Sequence, residues 1–439
     1  MKKRILHTGM RNMRRILVGF SIVLLAAGCS SSRKVSSSEA GELASLYNPS
    51  EYSLNVDYRL FHITDDLTSL YIRIFPGELL FNQANEDAEY RALVSIHYNI
   101  FELDEDEEIV AVTDSSGFQV KLNRWDEDRT AYFTSKVLPV ESGKRYMIRL
   151  ESRDMQRGTL GLKYLYIDKV NPFSSQNFSV VSARTGYPRF QNYMASDDVF
   201  RIKYRFPGID TIYLDLFRDN HRTPRPPITL ESSSSHPLEI DTTFAISFSD
   251  TLNFTLPERG MYHFRIDSMR REGITLHNFG PDYPRVNTPR GMLEPLFYIA
   301  TMTEYNQLLE RENTKRAVDD FWLARATSME RSRELIRVYY NRVLYSNLYF
   351  GADREGWRTD RGMIFILMGP PDRMKDTGFE ERWYYGSRRQ GRVTEFVFRR
   401  EPSVYSNQDL VWTKNIESMQ HWSAAISSWR SGKVFSLGK

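Results

Sequence analysis

The groups in this 439-residue chain best suited to chemistry are carboxylates and guanidinium groups crowded around residue 360. Gly356-Trp357-Arg358-Thr359-Asp360-Arg361-Gly362 runs through Met363–Met368 into Gly369-Pro370-Pro371-Asp372. Asp360 with Glu380 or Glu381 would supply the acid and base of glycoside hydrolysis or of another proton transfer. Yet Asp360 stands between Thr359 and Arg361, which fits a satisfied structural carboxylate. The histidines (His7, His62, His97, His221, His236, His263, His277 and His421) show neither metal-ligand spacing nor a His-Glu-x-x-His pair. There is no Gly-x-Ser-x-Gly elbow and no phosphate-binding Gly-Lys-Ser/Thr loop, so no cofactor is implied. The acidic run Glu102–Glu108 lacks the glycine and terminal glutamate of an EF-hand loop and reads as a solvated hairpin tip.

Arginine is the second chemical signal. Arg354, Arg358, Arg361, Arg373, Arg382, Arg388, Arg389, Arg392, Arg399 and Arg400 crowd the last quarter of the chain. Their planar forks match carboxylate and phosphate, so Arg388, Arg389, Arg392, Arg399 and Arg400 are candidates for binding a partner or an anionic polymer. The alternative is a solvated face neutralised by Asp353, Glu355, Asp372, Glu380 and Glu381.

Length sets a prior of roughly three domains. A hydrophobic share of 41% and an aromatic share of 13% exclude a wholly disordered chain and lean toward β structure. The formal charge of +3 is misleading, because residues 1–28 carry Lys2, Lys3, Arg4, Arg11, Arg14 and Arg15 and no acid. Taking those six from the 59 basic residues leaves 53 against 56 acidic ones, a net of −3. That balance gives no electrostatic case for nucleic acid. The basic segment precedes Ile16–Leu25, an apolar run too short to span a bilayer, then Ala26-Ala27-Gly28 and Cys29. This is the layout of a secretion signal. The start can be Met1, Met10 or Met13.

Leu25-Ala26-Ala27-Gly28-Cys29 resembles the lipobox of bacterial lipoproteins, with Ala26 at a position that usually holds Leu. The resemblance implies cleavage before Cys29 and acylation of its thiol. Two or three acyl chains give a stable membrane anchor. Cys29 is the sole cysteine, so lipidation leaves no disulfide and no cysteine nucleophile. Residues 29–50 read as a flexible tether holding the first domain roughly 25 Å from the membrane. No acidic run follows Cys29. Such a run resembles a surface-export signal, and its absence points to a periplasm-facing outer-membrane anchor.

The elements that must position the residue-360 region change character along the chain. Residues 51–170 alternate with period two, as in Leu70, Ile72 and Ile74, in Ala92–Ile100, and in Tyr146, Ile148 and Leu150. Residues 171–295 repeat this in Phe200–Tyr204, Ile212–Leu216 and Phe244–Phe248. A faint internal repeat joins the halves: Val137-Leu138-Pro139 and a Tyr146-led strand echo Phe254–Pro257 and a Tyr262-led strand. Two immunoglobulin-like β-sandwich modules follow from that spacing. Phe279–Pro295, rich in Pro and Gly, is a boundary that propagates neither helix nor central strand. Residues 296–350 turn to period 3.6 and form a helical connector. Ala317, Val318, Phe321 and Trp322 mark one helix; Leu335, Ile336, Tyr339, Tyr340, Val343, Leu344 and Leu348 mark a longer one. Residues 351–439 form a small α+β domain, with strands at Trp383–Tyr385 and Val393–Arg399 and one short terminal helix within Leu410–Trp429. Met363–Met368 fits a strand or a helix closing at Gly369. The helix version gives an order similar to the small α+β domain of outer-membrane assembly lipoproteins.

Gly356-Trp357-Arg358-Thr359-Asp360 also matches the name-giving motif of the GWxTD domain of bacterial envelope proteins. Phe321-Trp322, Gly369-Pro370-Pro371-Asp372, Trp383-Tyr384-Tyr385 and Phe396-Val397-Phe398 resemble that family in order over about residues 300–400. The resemblance implies no catalytic role for any residue. Physically, Trp357 reads as a buried anchor, Thr359 or Asp360 as a cap, Arg361 as a partner for an acid or an aromatic face, and Gly369-Pro370-Pro371 as a stop. The expected protein is a lipid-anchored adaptor or assembly component of the envelope that binds protein partners. An envelope hydrolase using Asp360, and a glycan-binding module using exposed Trp412, Trp422 or Trp429, are the alternatives.

Overall fold

The computed structural model describes residues 43–49, 51, 53–83, 89–127, 129–218, 238–387 and 392–437. The signal segment, Cys29, Pro224–Pro227, Ser232–Ser235, Arg388 and Arg389 lie outside the described residues.

The chain is mainly β, with helices gathered toward its C-terminal end. Strands β1 (Val56–His62), β2 (Leu67–Ile74), β3 (Arg91–Leu103) and β4 (Ile109–Asn123) lead through a short helix α1 (Arg124–Glu127) to β5 (Tyr132–Pro139), β6 (Arg145–Asp154) and β7 (Leu160–Asp168). They form two antiparallel sheets, ordered β1-β2-β5 and β4-β3-β6-β7. The period-two pattern is what closes them. Leu70, Ile72 and Ile74 from one sheet meet Val94, Ile96, Ile100, Ile148 and Leu150 from the other in one fully buried core, the sandwich packing in which inner-face residues interdigitate.

A second β layer has the same logic. Strands β8 (Phe178–Ser182) and β9 (Phe200–Tyr204) pair, and β10 (Thr211–Phe217), β11 (Thr242–Ser247), β12 (Gly260–Arg265) and β13 (Ile274–Asn278) form a sheet ordered β11-β10-β12-β13. Phe178, Phe200, Ile202, Ile212, Phe264 and Leu276 fill the space between them. The faint repeat has a physical basis. The Tyr146 hydroxyl donates to the Glu141 carbonyl and accepts its N–H, and Tyr262 does the same with Glu258. Each tyrosine pins the corner that carries the chain from one sheet to the next, as tyrosine corners do.

Helices α2 (Pro289–Leu293), α3 (Met302–Leu309), α4 (Thr314–Leu323), α5 (Met329–Phe350) and α6 (Asp360–Met368) follow, then an antiparallel sheet of β14 (Arg373–Asp376), β15 (Glu380–Ser387), β16 (Arg392–Arg400) and β17 (Leu410–Thr413), and finally α7 (Ile416–Arg430). Their starts are written in the sequence. Thr301 and Glu304 form a reciprocal capping box on α3, and Ser328 and Asn415 cap α5 and α7. One aromatic core, including Trp322, Tyr339, Phe350, Phe365, Trp383, Phe396 and Trp429, joins these helices to the sheet.

Three expectations change. Pro289 begins a helix rather than forbidding one, because at the first helical position its missing N–H is not needed. Leu348 is exposed, and Ser346, Asn347 and Phe350 are buried at the end of α5 instead. Leu43–Tyr47, expected to be tether, forms a 3-10 turn with Ala44 buried. Tyr47 packs on Tyr349, Phe350 and Trp383 with ring centroids 4.9–5.6 Å apart. This segment belongs to the C-terminal core, hundreds of residues away in sequence.

Candidate functional site

Gly356–Arg358 is a single 3-10 turn, and Thr359 caps the helix after it. The Thr359 hydroxyl donates to the Gly356 carbonyl at 2.8 Å and accepts the Gly362 N–H at 3.0 Å. Met363–Met368 is therefore helical. It is buried on every side, which is why its short apolar run carried no period. Gly369, with φ +90, ends α6 and returns its N–H to Phe365. Two glycines let backbones touch. A Cβ on Gly356 would lie 1.9 Å from the Ser346 carbonyl oxygen of α5, and one on Gly362 would lie 2.0 Å from the Gly356 carbonyl oxygen. Trp357 is locked from both sides of its peptide: its N–H donates to Asn347 Oδ1 at 3.1 Å, and its carbonyl accepts from the Tyr298 hydroxyl at 2.8 Å.

The charges around this turn satisfy one another. Arg358 covers the Trp357 ring at 4.2 Å and pairs with Glu294 at 2.8 Å and Glu355 at 2.9 Å. Arg259 reaches Glu355 at 2.5 Å and Glu294 at 3.6 Å, and Arg290 reaches Glu294 at 3.2 Å. Arg354 bridges Asp353 and Asp409. Arg361 pairs with Glu381 at 2.8 Å, and the same carboxylate accepts from Tyr47 and Trp383 Nε1, each at 3.0 Å. Asp360 accepts the Trp412 N–H at 2.8 Å, tying α6 to β17. Burial pushes its pKa up, against the lowering pull of that amide and of Arg354. The arrangement is a joint whose polar parts face inward.

Residues 260–431 match the family model of the GWxTD domain. The chain is a GWxTD domain-containing protein. No curated protein matches it. The match is wider than residues 300–400 and begins at Gly260, the first residue of β12, so the GWxTD domain takes in the last two strands of the second β layer.

Within the GWxTD domain the predicted acid–base set is not assembled. Asp360 is buried, and one of its carboxylate oxygens accepts the Trp412 backbone amide. Glu380 and Glu381 are neighbours on β15 and point to opposite faces. Glu380 pairs with Arg382 and Arg399, while Glu381 is spent inside the domain. Of the candidate binding arginines, Arg399 and Arg400 have described side chains, and both are paired with carboxylates. Arg400 is sequestered, pairs with Glu107 and lies over the Tyr166 ring; the acidic hairpin tip is held at that one residue, while Asp104, Glu105, Asp106 and Glu108 are exposed as expected. Arg399 is exposed and shares Glu380. Arg392 belongs to β16, and its side chain lies outside the described atoms. Trp412, Trp422 and Trp429 are 2%, 8% and 0% exposed, so they offer no stacking platform for a glycan. Pro370 and Pro371 follow the α6 stop as read from sequence.

A cavity of roughly 850 Å³ lies where both β layers meet the GWxTD domain, with Tyr47, Arg59, Asn192, Tyr283, Asp376 and Glu381 among its walls. The Asp376 pKa is pushed up to about 7, first by burial and then by the charge of Glu381. Among the described residues no group of three His, Cys, Asp or Glu side chains is placed to hold a metal ion. Sequence reasoning missed Arg59, Asn192, Glu294 and Asp376 because each gains its setting from residues distant in the chain. Local spacing carries no trace of such contacts.

Proposed function

We propose that this protein is a lipid-anchored, periplasm-facing component of the bacterial outer membrane that binds protein partners and catalyses no reaction. One observation carries the non-catalytic part: Asp360, the sole carboxylate of the Gly-Trp-Arg-Thr-Asp stretch, is buried on the Trp412 amide. A motif in which Arg358, Thr359, Asp360 and Arg361 each hold an internal partner serves to hold elements together. The anchoring part rests on the basic segment, the apolar run Ile16–Leu25 and Cys29. Partner binding draws support from edge strands that leave apolar side chains in solvent, namely Ile109, Val110 and Val112 on β4 and Phe244 on β11. Edges of that kind accept added strands or apolar surfaces.

The test is affinity purification of the full chain from membranes, with mass spectrometry of its N-terminal peptide. The expected result is an acylated Cys29 and a stoichiometric protein partner. Loss of membrane association in Cys29→Ser belongs to the same outcome. A soluble, unacylated protein recovered alone contradicts the reading.

A further inference from the structure

We propose that the cavity between the β layers and the GWxTD domain binds a small anionic molecule, held at Arg59 through a carboxylate or phosphate group. Arg59 lies on β1 and lines the cavity. One of its Nη1 hydrogens goes to Asn192 Oδ1 at 2.6 Å. Among the described residues that amide is its sole hydrogen-bond partner, and no carboxylate forms an ion pair with it. Asp57, two residues away on the same strand face, is held by Arg73 at 2.5 Å. Burial lowers the Arg59 pKa to about 10, with no charged neighbour offsetting it.

Other sequestered arginines of this protein are compensated. Arg265, Arg354, Arg358, Arg361 and Arg400 each hold a carboxylate. Arg342 has none, but it caps the Ile366 and Leu367 carbonyls at the end of α6 and lies over Trp429. Arg59 has neither kind of compensation. Arg59 is half-buried, so its charge is poorly compensated without a counter-ion, and a guanidinium fork with free N–H groups matches a carboxylate or phosphate.

The walls beside it suit the rest of such a molecule. Gln191 lines the same cavity and makes no hydrogen bond among the described residues. Tyr193, Phe279 and Tyr283 form a cluster there, with Tyr283 4.7 Å from Tyr193 and 4.6 Å from Phe279 between ring centroids. A few polar groups set in an aromatic wall is the usual make-up of a small-molecule site. The inference is independent of the lipid anchor and of any protein partner.

The experiment titrates the purified full chain with inorganic phosphate and, separately, with acetate at fixed ionic strength, following thermal unfolding and calorimetric binding. Wild type shows a saturable rise in Tm with at least one of the two. A response to phosphate alone identifies a phosphoryl ligand, and one to acetate alone a carboxylate. Arg59→Met weakens the response about ten- to a hundredfold, the range of a lost charge-assisted hydrogen-bond pair. If Arg59→Met does not fold, Arg59→Lys keeps the charge, loses the fork and still weakens binding at least about tenfold. No saturable response in wild type, or equal responses in wild type and the folded variant, overturns the proposal.

Discussion

Replacing Gly356 with alanine tests whether the turn before α6 is a backbone-to-backbone joint. The added Cβ would lie 1.9 Å from the Ser346 carbonyl oxygen, 2.6 Å from its carbon and 2.8 Å from Asn347 Cα. All three are backbone atoms of α5, so no side chain can swing aside. Reaching even 3.0 Å, the lower bound for real Cβ contacts, moves the turn about 1.1 Å off the helix. Overpacking of this kind costs about 1–3 kcal/mol. The movement also stretches the Trp357 N–H bond to Asn347, worth about 1 kcal/mol. Gly356→Ala should therefore lose about 2–4 kcal/mol in urea unfolding followed by tryptophan fluorescence. Gly77→Ala is the control, since a Cβ there meets nothing within 4 Å and should change stability by less than about 0.5 kcal/mol. If Gly356→Ala unfolds within about 0.5 kcal/mol of wild type, the close-packed joint is refuted.

Other consequences follow from the buried charges. Arg358→Met leaves Glu294 and Glu355 to Arg259 and Arg290 and should cost about 3–5 kcal/mol in the same assay; a loss below about 1 kcal/mol would show that the network rearranges freely. His62, His263 and His277 are buried neutral, with pKa values lowered to about 3, 4 and 3, chiefly by burial. Their folded pKa values lie below an unfolded value near 6.5, so this stability is complete above about pH 6.5 and lost as pH falls. At pH 5 each should cost about 2 kcal/mol relative to neutral pH, and equal urea midpoints at pH 7.5 and pH 5 would contradict their burial. Asp376 runs the other way: its folded pKa is raised, so its contribution is lost as pH rises from about 4 through 7. Asp376→Asn should therefore gain stability relative to wild type at pH 8 compared with pH 5, and a constant difference across that range would speak against it.

Much of the architecture was legible in the sequence because it depends on local periodicity. The period-two runs of β2, β3, β6, β9 and β10 are strands, and Ala317, Val318, Phe321 and Trp322 face the core from α4. The caps at Thr359 and Gly369 were also readable, since their chemistry acts over three or four residues. Met363–Met368 was not readable, because a segment buried all round has neither period. The site was less legible still. Asp360 acquires its role from Trp412, Glu294 from Arg259 and Arg358, and Arg59 from Asn192, all pairings made by tertiary packing. Arginine density suggested a surface, yet Arg354, Arg358, Arg361 and Arg400 are internal, because each found a carboxylate from a distant or adjoining segment. The Leu43–Tyr47 turn was hidden for a related reason: five residues show too little pattern to reveal a docking face 300 residues away.

Native-state hydrogen exchange at the amides of Trp357, Gly362 and Trp412 tests most directly whether the Gly-Trp-Arg-Thr-Asp turn is a structural joint. These N–H groups are held by Asn347, Thr359 and Asp360. A joint predicts that all three exchange only with unfolding of the whole GWxTD domain, at its full free energy. Exchange through a low-energy local opening, as in a loop that admits substrate, would contradict it.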